Sequence, residues 1–169
     1  MALLPVVSEE EIIRLAVELG TRLKERQLKL ATAESCTGGW LGQAITSVSG
    51  SSQWYERGFI TYSNAAKQEM LGVRIETITR AGAVSEQAAR EMAEGALARS
   101  RADIGIAVTG IAGPEGGSAT KPIGTVWFAM AQKQQLTLAA KKHFGGDRAQ
   151  IRSQCVIYAL AMLNKRLLS

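Results

Sequence analysis

The feature that most constrains the fold is a short apolar run, Ile104 to Val108, in the interior of the chain. Its side chains are apolar almost without a break, whereas a strand with one face in water alternates apolar and polar residues. Such a run is expected of a strand that is covered on both faces of its sheet. The chain therefore needs helices on both sides of a sheet, which makes α/β the expected fold class.

The segments around this run supply both kinds of element. Helical spacing predicts a helix from Ile12 to Leu23, one reaching about Val48, one starting near Asn64, a long one from Ser85 to about Ala102 and a last one from Asp147. Strands are predicted over Leu28 to Ala33, Phe59 to Tyr62, Ile104 to Val108, Thr125 to Ala131 and Leu136 to Phe144. The last two form an antiparallel hairpin, so the five-stranded sheet is mixed. No repeat or linker divides the chain, and residues 1–169 are expected to form one domain.

Composition and charge exclude several functional classes. Of the 169 residues, 46% are hydrophobic and 21% are charged, which rules out a disordered or fibrous chain. The net charge of +5 resides in the C-terminal part, since residues 133 to 169 hold seven cations and one anion. The three tryptophans are not interleaved with a basic stripe of the kind that stacks bases, so nucleic acid is not an expected partner.

The cysteines, the single histidine and the length of the apolar runs indicate the cellular compartment and whether a cofactor is expected. Cys36 and Cys155 match neither a zinc spacing nor a disulfide framework, which favours a reduced setting. One histidine and scattered carboxylates give no metal-ligand cluster, so neither a metal nor a cofactor is expected. The N-terminal MALLPVVSEEE lacks the cationic stretch of a signal peptide, and no apolar run reaches the ~18 residues of a membrane span. A cytoplasmic protein without a membrane partner is expected.

Two glycine-containing segments follow predicted strands, where open α/β sheets bind ligands. The first is Ala33-Glu34-Ser35-Cys36-Thr37-Gly38-Gly39, between a strand and a helix. It matches neither the dinucleotide-binding nor the P-loop pattern, so an anion site and a plain glycine turn are equally favoured. Its candidate ligand contacts are Glu34, Ser35, Thr37, Gly38 and Gly39.

The second segment runs from Gly110 to Gly124 and is rich in glycine and proline. Loops of this length usually serve a function, and glycines let a ligand approach the backbone closely. A flexible connection is the alternative, but the position after a buried strand favours a ligand loop. Candidate contacts here are Thr109, Gly110 and Gly113, together with Arg148 at the start of the last helix, which suits a ligand phosphate or a surface carboxylate.

A third candidate site is Ser51-Ser52 with Tyr62 and Lys67 downstream. A serine nucleophile needs a base, and the single histidine, His143, lies among lysines in the predicted hairpin, so a Ser-His-Asp triad is not favoured. A lysine of lowered pKa can serve instead, with a tyrosine as proton relay. Residue types alone do not favour this over solvated serines, a core tyrosine and a surface lysine.

Several long motifs give the chain a family resemblance. They are TAESCTGGWLGQAIT, SGSSQWYERGFITYSNAAKQEMLGV, GAVSEQAAREMAEGAL, AVTGIAGPEGGSATKPIGTVWFA and FGGDRAQIR, in this order. With these motifs the chain resembles the CinA C-terminal domain family, and most closely its stand-alone, PncC-type nicotinamide-nucleotide amidohydrolases. One small departure is Ser49-Gly50, where many relatives have Pro-Gly.

This resemblance implies a three-layer α/β/α sandwich with a mixed five-stranded sheet, in agreement with the strand count. It implies hydrolysis of the carboxamide of nicotinamide mononucleotide to nicotinate mononucleotide and ammonia, in pyridine nucleotide salvage. By motif position it implies Ser52 as nucleophile and Lys67 with Tyr62 as general base. Ribose and phosphate contacts are expected from Thr37, Gly38, Thr109, Gly113 and Arg148, with Asn64 as a further substrate contact.

Two alternatives come from the same resemblance. One is a nucleotide-binding module without catalysis, which the presence of Ser52, Tyr62 and Lys67 disfavours. The other is a DNA-associated protein of competence or recombination, which the family name and the basic C-terminal part suggest. The glycine-rich loops suit a mononucleotide better than DNA. A homo-oligomer is expected as the assembly state.

Overall fold

The sheet is built around β1 (Leu30–Glu34), whose five residues are all buried. In the computed structural model, which describes residues 9–168, β1 lies between β2 (Tyr55–Ile60) and β3 (Ile104–Gly110) and is parallel to both. The antiparallel strands β4 (Thr125–Gln132) and β5 (Leu138–His143) complete the order β2-β1-β3-β4-β5. The prediction of a mixed five-stranded sheet is confirmed. Residues 1–8, on which the signal-peptide prediction rests, lie outside the described range.

Six helices cover the two faces of this sheet in the described residues. They are α1 (Glu9–Glu25), α2 (Trp40–Thr46), α3 (Asn64–Leu71), α4 (Ile75–Ala81), α5 (Glu86–Ala98) and α6 (Arg148–Leu168). Core residues of α1, α2 and α6 form one apolar cluster with the sheet, and those of α3 and α5 form a second cluster on the opposite face. The expected three layers are therefore present. Over residues 9–168, every helix is too short or too polar to cross a membrane.

The two faces of the sheet differ in side-chain size. Large residues such as Ile106 and Phe128 face α1 and α6. The fully buried part of the face toward α5 consists of small residues, namely Ala31, Ala33, Gly105, Ala107, Ala129 and Ala131, while Phe59 and Trp127 pack at its margin. A Cβ atom on Gly105 would lie 2.6 Å from the backbone oxygen of Ala93, so α5 packs directly on the strand backbone. Close packing of α5 in turn allows α3 to lie beside it.

The main differences from the sequence prediction are the start of one strand, one additional helix and the end of another helix. β2 begins at Tyr55 rather than Phe59, and the segment of polar residues before Phe59 is part of the strand. Because β2 is an edge strand, its residues do not need to be apolar, and the pattern therefore resembles a loop. The seven-residue helix α4 is absent from the prediction, and α5 ends at Ala98 rather than near Ala102.

The carboxyl ends of the three parallel strands meet at one edge of the sheet. Glu34 at the end of β1 is paired with Ile60 of β2 and with Val108 of β3. The segments that follow these strands therefore begin side by side. This edge is the expected ligand site of an open α/β sheet.

We predict that Gly95→Ala destabilises the protein, because α5 and α3 touch through their backbones at this position. A Cβ atom on Gly95 would lie 2.0 Å from the carbonyl oxygen of Leu71 at the end of α3, and a backbone atom cannot rotate away. Overpacking of this kind costs about 1–3 kcal/mol, which exceeds the ~1 kcal/mol that alanine gains over glycine in a helix. Urea unfolding should show a lower midpoint. Gly145→Ala, where a Cβ meets nothing within 4 Å, is the matched control, and equal midpoints for the two variants would contradict the prediction.

Candidate active site

A cavity of about 270 Å³ opens at the carboxyl edge of the parallel strands. Its walls come from the turns after β1, β2 and β3, from the segment before α5 and from the first residue of α6. The lining residues are Ser35, Cys36, Tyr62, Asn64, Lys67, Ala83, Val84, Thr109, Gly110, Ile111, Ala112, Gly113, Glu115, Gly116 and Arg148. The cavity therefore joins the two glycine-containing segments that the sequence singles out.

Ser35 enters the cavity from a tight turn after β1. Its backbone N–H donates to Val108 O at 3.0 Å, which extends the pairing of β1 with β3 by one residue. Its carbonyl oxygen accepts from Gly38 N at 3.0 Å, which closes the turn. Gly38 and Gly39 have φ angles of 60° and 103°, a region that other residues rarely adopt. The glycines of the motif therefore shape the turn.

Glu34 lies behind this turn and is 2% exposed. Its Oε1 accepts from the hydroxyl of Thr37 at 2.6 Å and from Leu41 N at 2.9 Å, and its Oε2 accepts from Gly42 N at 3.0 Å. The carboxylate therefore satisfies the first N–H groups of α2, whose N-cap residue Gly39 has no side chain to do so. Glu34 and Thr37 hold the turn, and the structure does not place them in the cavity wall.

Lys67 reaches the cavity from α3 and is 1% exposed. Its Nζ lies 3.0 Å from Ser35 Oγ and donates to Thr61 O at 2.8 Å and to Tyr62 O at 3.4 Å. Burial lowers the pKa of this amine below its ordinary value of 10.5, because the charged form loses its hydration. A negative charge on Cys36 acts in the opposite direction and raises the same pKa, but burial is the larger cause. Lys67 is thus a buried amine in direct contact with a serine hydroxyl.

Tyr62 and Arg148 stand together at the mouth of the cavity. The Tyr62 ring is 63% exposed, and its hydroxyl accepts from Arg148 Nη2 at 3.1 Å. Arg148 Nη1 donates to Gly113 O at 2.8 Å, which ties the long glycine-rich loop to α6. It is the backbone oxygen of Tyr62, rather than its hydroxyl, that contacts Lys67. The predicted relay from Lys67 through the tyrosine hydroxyl is not formed.

The remaining predicted contacts divide into two groups. Asn64, Thr109, Gly110 and Gly113 line the cavity, as the sequence predicts. The hydroxyl of Thr109 donates to Ala83 O at 2.8 Å, so its oxygen faces a ligand only as an acceptor. Gly38 and Gly39 are absent from the cavity wall, and their part is to form the turn.

Ser52 is not brought to this site. It is an exposed residue of a single 3₁₀ turn (Ser51–Gln53) that precedes β2, whereas Tyr62 and Lys67 follow β2. The six residues of β2 at about 3.3 Å each separate the two ends by about 20 Å, so Ser52 lies near the opposite edge of the sheet. Ser35, which the sequence indicates only as a ligand contact, is the serine that meets Lys67.

Sequence reasoning also missed residues that the structure brings to the site. Ala83 and Val84 reach it from the segment between α4 and α5, and the only signal for them is their place in the motif GAVSEQAAREMAEGAL, which indicates the family but no ligand contact. Arg152 of α6 holds two carbonyl oxygens of the Ser35 turn, and its spacing of four residues from Arg148 is the signal that indicates a shared helix face. Across residues 9–168, no three His, Cys, Asp or Glu side chains are grouped as metal ligands would be.

Comparison with known proteins supports the same assignment of family. The profile of the CinA C-terminal domain matches residues 12–167. Nicotinamide-nucleotide amidohydrolase PncC of Escherichia coli K12 is 50% identical over 157 residues, covering 93% of this chain and 95% of that protein. A putative competence-damage inducible protein of Symbiobacterium thermophilum is 48% identical over 95% of this chain, which spans 39% of that longer protein.

A solved structure extends the likeness to three dimensions. The crystal structure of the competence/damage inducible protein CihA from Agrobacterium tumefaciens superposes with a TM-score of 0.91 at 46% identity, and both chains are covered in full. The sheet order and the position of the cavity at its carboxyl edge agree with the family that these matches indicate. This chain belongs to the CinA C-terminal domain family.

Proposed function

We propose that this chain hydrolyses the carboxamide of nicotinamide mononucleotide to nicotinate mononucleotide and ammonia, as one cofactor-free domain in pyridine nucleotide salvage. The observation that carries the proposal is the contact of 3.0 Å between Ser35 Oγ and the buried amine of Lys67 inside the cavity. Likeness to a protein named nicotinamide-nucleotide amidohydrolase supports the substrate. Cys36 and Cys155 are both free, which supports a reducing compartment.

The hydrogen bonds around Lys67 fit both protonation states that a general base passes through. Three oxygens surround Nζ, and an ammonium donates to all of them, namely Thr61 O, Tyr62 O and Ser35 Oγ. A neutral amine donates to the two carbonyl oxygens, and its lone pair accepts the hydroxyl proton of Ser35. The lowered pKa of Lys67 favours this neutral form, which is the form that a general base requires.

Hydrolysis proceeds in two halves. Ser35 Oγ transfers its proton to Lys67 and attacks the amide carbon, and the resulting Lys67 ammonium returns that proton to the leaving nitrogen, which departs as ammonia. The ester between Ser35 and the nicotinoyl group remains. Lys67 then takes a proton from water, the hydroxide attacks the ester, and the proton passes back to Ser35 as the acid leaves.

The rest of the cavity binds the nucleotide. Arg148 keeps three N–H groups beyond the two that bond Gly113 and Tyr62, and a guanidinium suits a phosphate better than any other side chain here. The exposed Tyr62 lines the same cavity as Ser35, and its ring offers a surface for the pyridine. We assign oxyanion stabilisation to the backbone N–H of Cys36, because Cys36 follows the nucleophile and lines the cavity.

The direct test is ammonia release from nicotinamide mononucleotide by the purified protein, with free nicotinamide as the comparison. We expect a strong preference for the nucleotide, since binding of its ribose and phosphate orients the amide at Ser35. Equal kcat/KM for both compounds would contradict the role of the cavity. Binding of the nucleotide without any ammonia release would instead favour the non-catalytic module.

The choice of serine is tested by two matched substitutions. Ser35→Ala is expected to lower kcat by at least about 10²-fold, because it removes the nucleophile. Ser52→Ala should leave kcat near that of the wild type, because Ser52 lies at the other edge of the sheet. Steady-state kinetics of folded variants measure both. A large loss of kcat in Ser52→Ala, with little loss in Ser35→Ala, would identify Ser52 as the nucleophile.

The pKa of Lys67 is tested through stability. The unfolded chain takes up the lysine proton at about its ordinary pKa of 10.5, while the buried amine takes it up only at lower pH. Between the lowered pKa and pH 10.5 the unfolded state binds more protons, so the free energy of unfolding increases as the pH rises through this window, by up to about 1.4 kcal/mol per pH unit. Lys67→Met removes this dependence.

Urea unfolding between neutral and alkaline pH measures the effect. The stability of Lys67→Met relative to the wild type should increase as the pH is lowered through this window. Gln68→Met, the neighbouring change at a residue that does not titrate, should differ from the wild type by a constant amount. A pH-independent difference for Lys67→Met would show that the amine is not perturbed by burial.

A further inference from the structure

Arg152 binds the turn that contains Ser35, but Arg152 itself does not line the cavity. Its Nε donates to Cys36 O at 3.0 Å, and its Nη2 donates to Thr37 O at 2.9 Å. The guanidinium also lies over the ring of Trp40, 5.5 Å from its centroid. Two adjacent peptide groups that follow Ser35 are therefore bound by one planar, charged side chain.

One peptide group links Arg152 to Ser35 through two hydrogen bonds. The carbonyl oxygen of the Thr37–Gly38 peptide accepts from Arg152, and the N–H of the same peptide donates to the carbonyl oxygen of Ser35 at 3.0 Å. The C=O and N–H of a trans peptide point in opposite directions. The guanidinium therefore bonds one edge of this peptide, and the carbonyl oxygen of Ser35 bonds the opposite edge. Hydrogen bonds in such a chain polarise and strengthen one another.

The turn that Arg152 binds depends on Gly38 for its backbone conformation. Gly38 has a φ of 60°, which other residues rarely adopt, whereas a Cβ there would make only an ordinary contact of 3.5 Å with Arg152 Nη2. The same turn sets the Ser35–Cys36 peptide, whose N–H belongs to a residue in the cavity wall. A shift of the turn would move the Ser35 hydroxyl away from Lys67 and the Cys36 N–H away from the reacting carbonyl together.

We propose that Arg152 is a positioning residue for the reaction, which aligns Ser35 Oγ and the Cys36 N–H by fixing the peptide groups of Cys36 and Thr37. The inference rests on the proposed function, in which Ser35 is the nucleophile. Arg152 acts on the rate of the chemical step and leaves nucleotide binding to Arg148 and the glycine-rich loop. Lysine is a poor substitute, because a single ammonium cannot bond two adjacent carbonyl oxygens in the geometry of a fork.

The test compares Arg152→Ala and Arg152→Lys with the wild type in steady-state deamidation of nicotinamide mononucleotide. We expect Arg152→Ala to lower kcat by about 10- to 100-fold, as misplacement of reacting groups does, while KM changes by less than about threefold. Addition of guanidinium at a low, non-denaturing concentration should raise the kcat of Arg152→Ala by filling the vacated position. Arg152→Lys should lie below the wild type and respond less to guanidinium.

Arg14→Ala is the matched control, since it removes an exposed arginine that pairs with Glu18 on α1, and it should have normal kcat and no guanidinium response. A normal kcat in folded Arg152→Ala, a loss confined to KM, or a lowered kcat that guanidinium does not raise would each overturn the inference. If Arg152→Ala fails to fold, Arg152→Lys decides the matter, and a normal kcat there overturns it.

The failure of the proposed function is visible separately, because the wild type would then release no ammonia. In that case the rate at which a phosphonate reagent labels Ser35 replaces kcat, since its P–O group needs the same serine and the same backbone donor. Slower labelling of Arg152→Ala than of the wild type supports the positioning role. Equal labelling rates overturn it, whatever the natural substrate is.

Discussion

The buried carboxylate of Glu34 is the interaction on which the rest of the site depends. A carboxylate without water is costly unless its oxygens are hydrogen-bonded, and here Thr37, Leu41 and Gly42 supply three donors. The same bonds join the end of β1 to the start of α2. Successive side chains of an extended chain point to opposite faces, so Glu34 directed toward α2 sends Ser35 toward α3. The anchoring of one residue therefore decides where the next one meets Lys67.

The position of Lys67 depends on the helical layer formed by α3 and α5, on the face of the sheet opposite to α2. α5 can lie on the strand backbones because that face of the sheet carries glycine and alanine, and α3 packs on α5 through Gly95. Lys67 of α3 is 1% exposed in this arrangement, and its hydrogen bonds go to Thr61, Tyr62 and Ser35. The burial that lowers its pKa therefore depends on where the packing on α5 places α3.

The fold could be predicted from the sequence to a large extent, and the site only in part. The buried run of β3, the hairpin and the helical periodicities are local patterns, and they determine the sheet and its layers. The choice between Ser35 and Ser52 depends instead on which end of β2 each serine lies near. The family resemblance implies Ser52 by motif position alone, and because β2 is polar at its start, its first residues resemble a loop and do not show which end of the strand Ser52 lies near. With β2 starting at Tyr55, the rule that parallel strands end at one edge places Ser35, Tyr62 and Thr109 together.

The C-terminal helix contributes two arginines that bind the segments of the site. Arg148 and Arg152 are one helical turn apart on α6, so they share a face. Arg148 bonds the loop after β3 and the tyrosine after β2, while Arg152 bonds the turn after β1. One helix turn therefore contacts all three segments that leave the carboxyl edge of the parallel sheet. Arg148 and Arg152 donate four charged hydrogen bonds to these three segments. The start of α6 is therefore the element that fixes their relative positions.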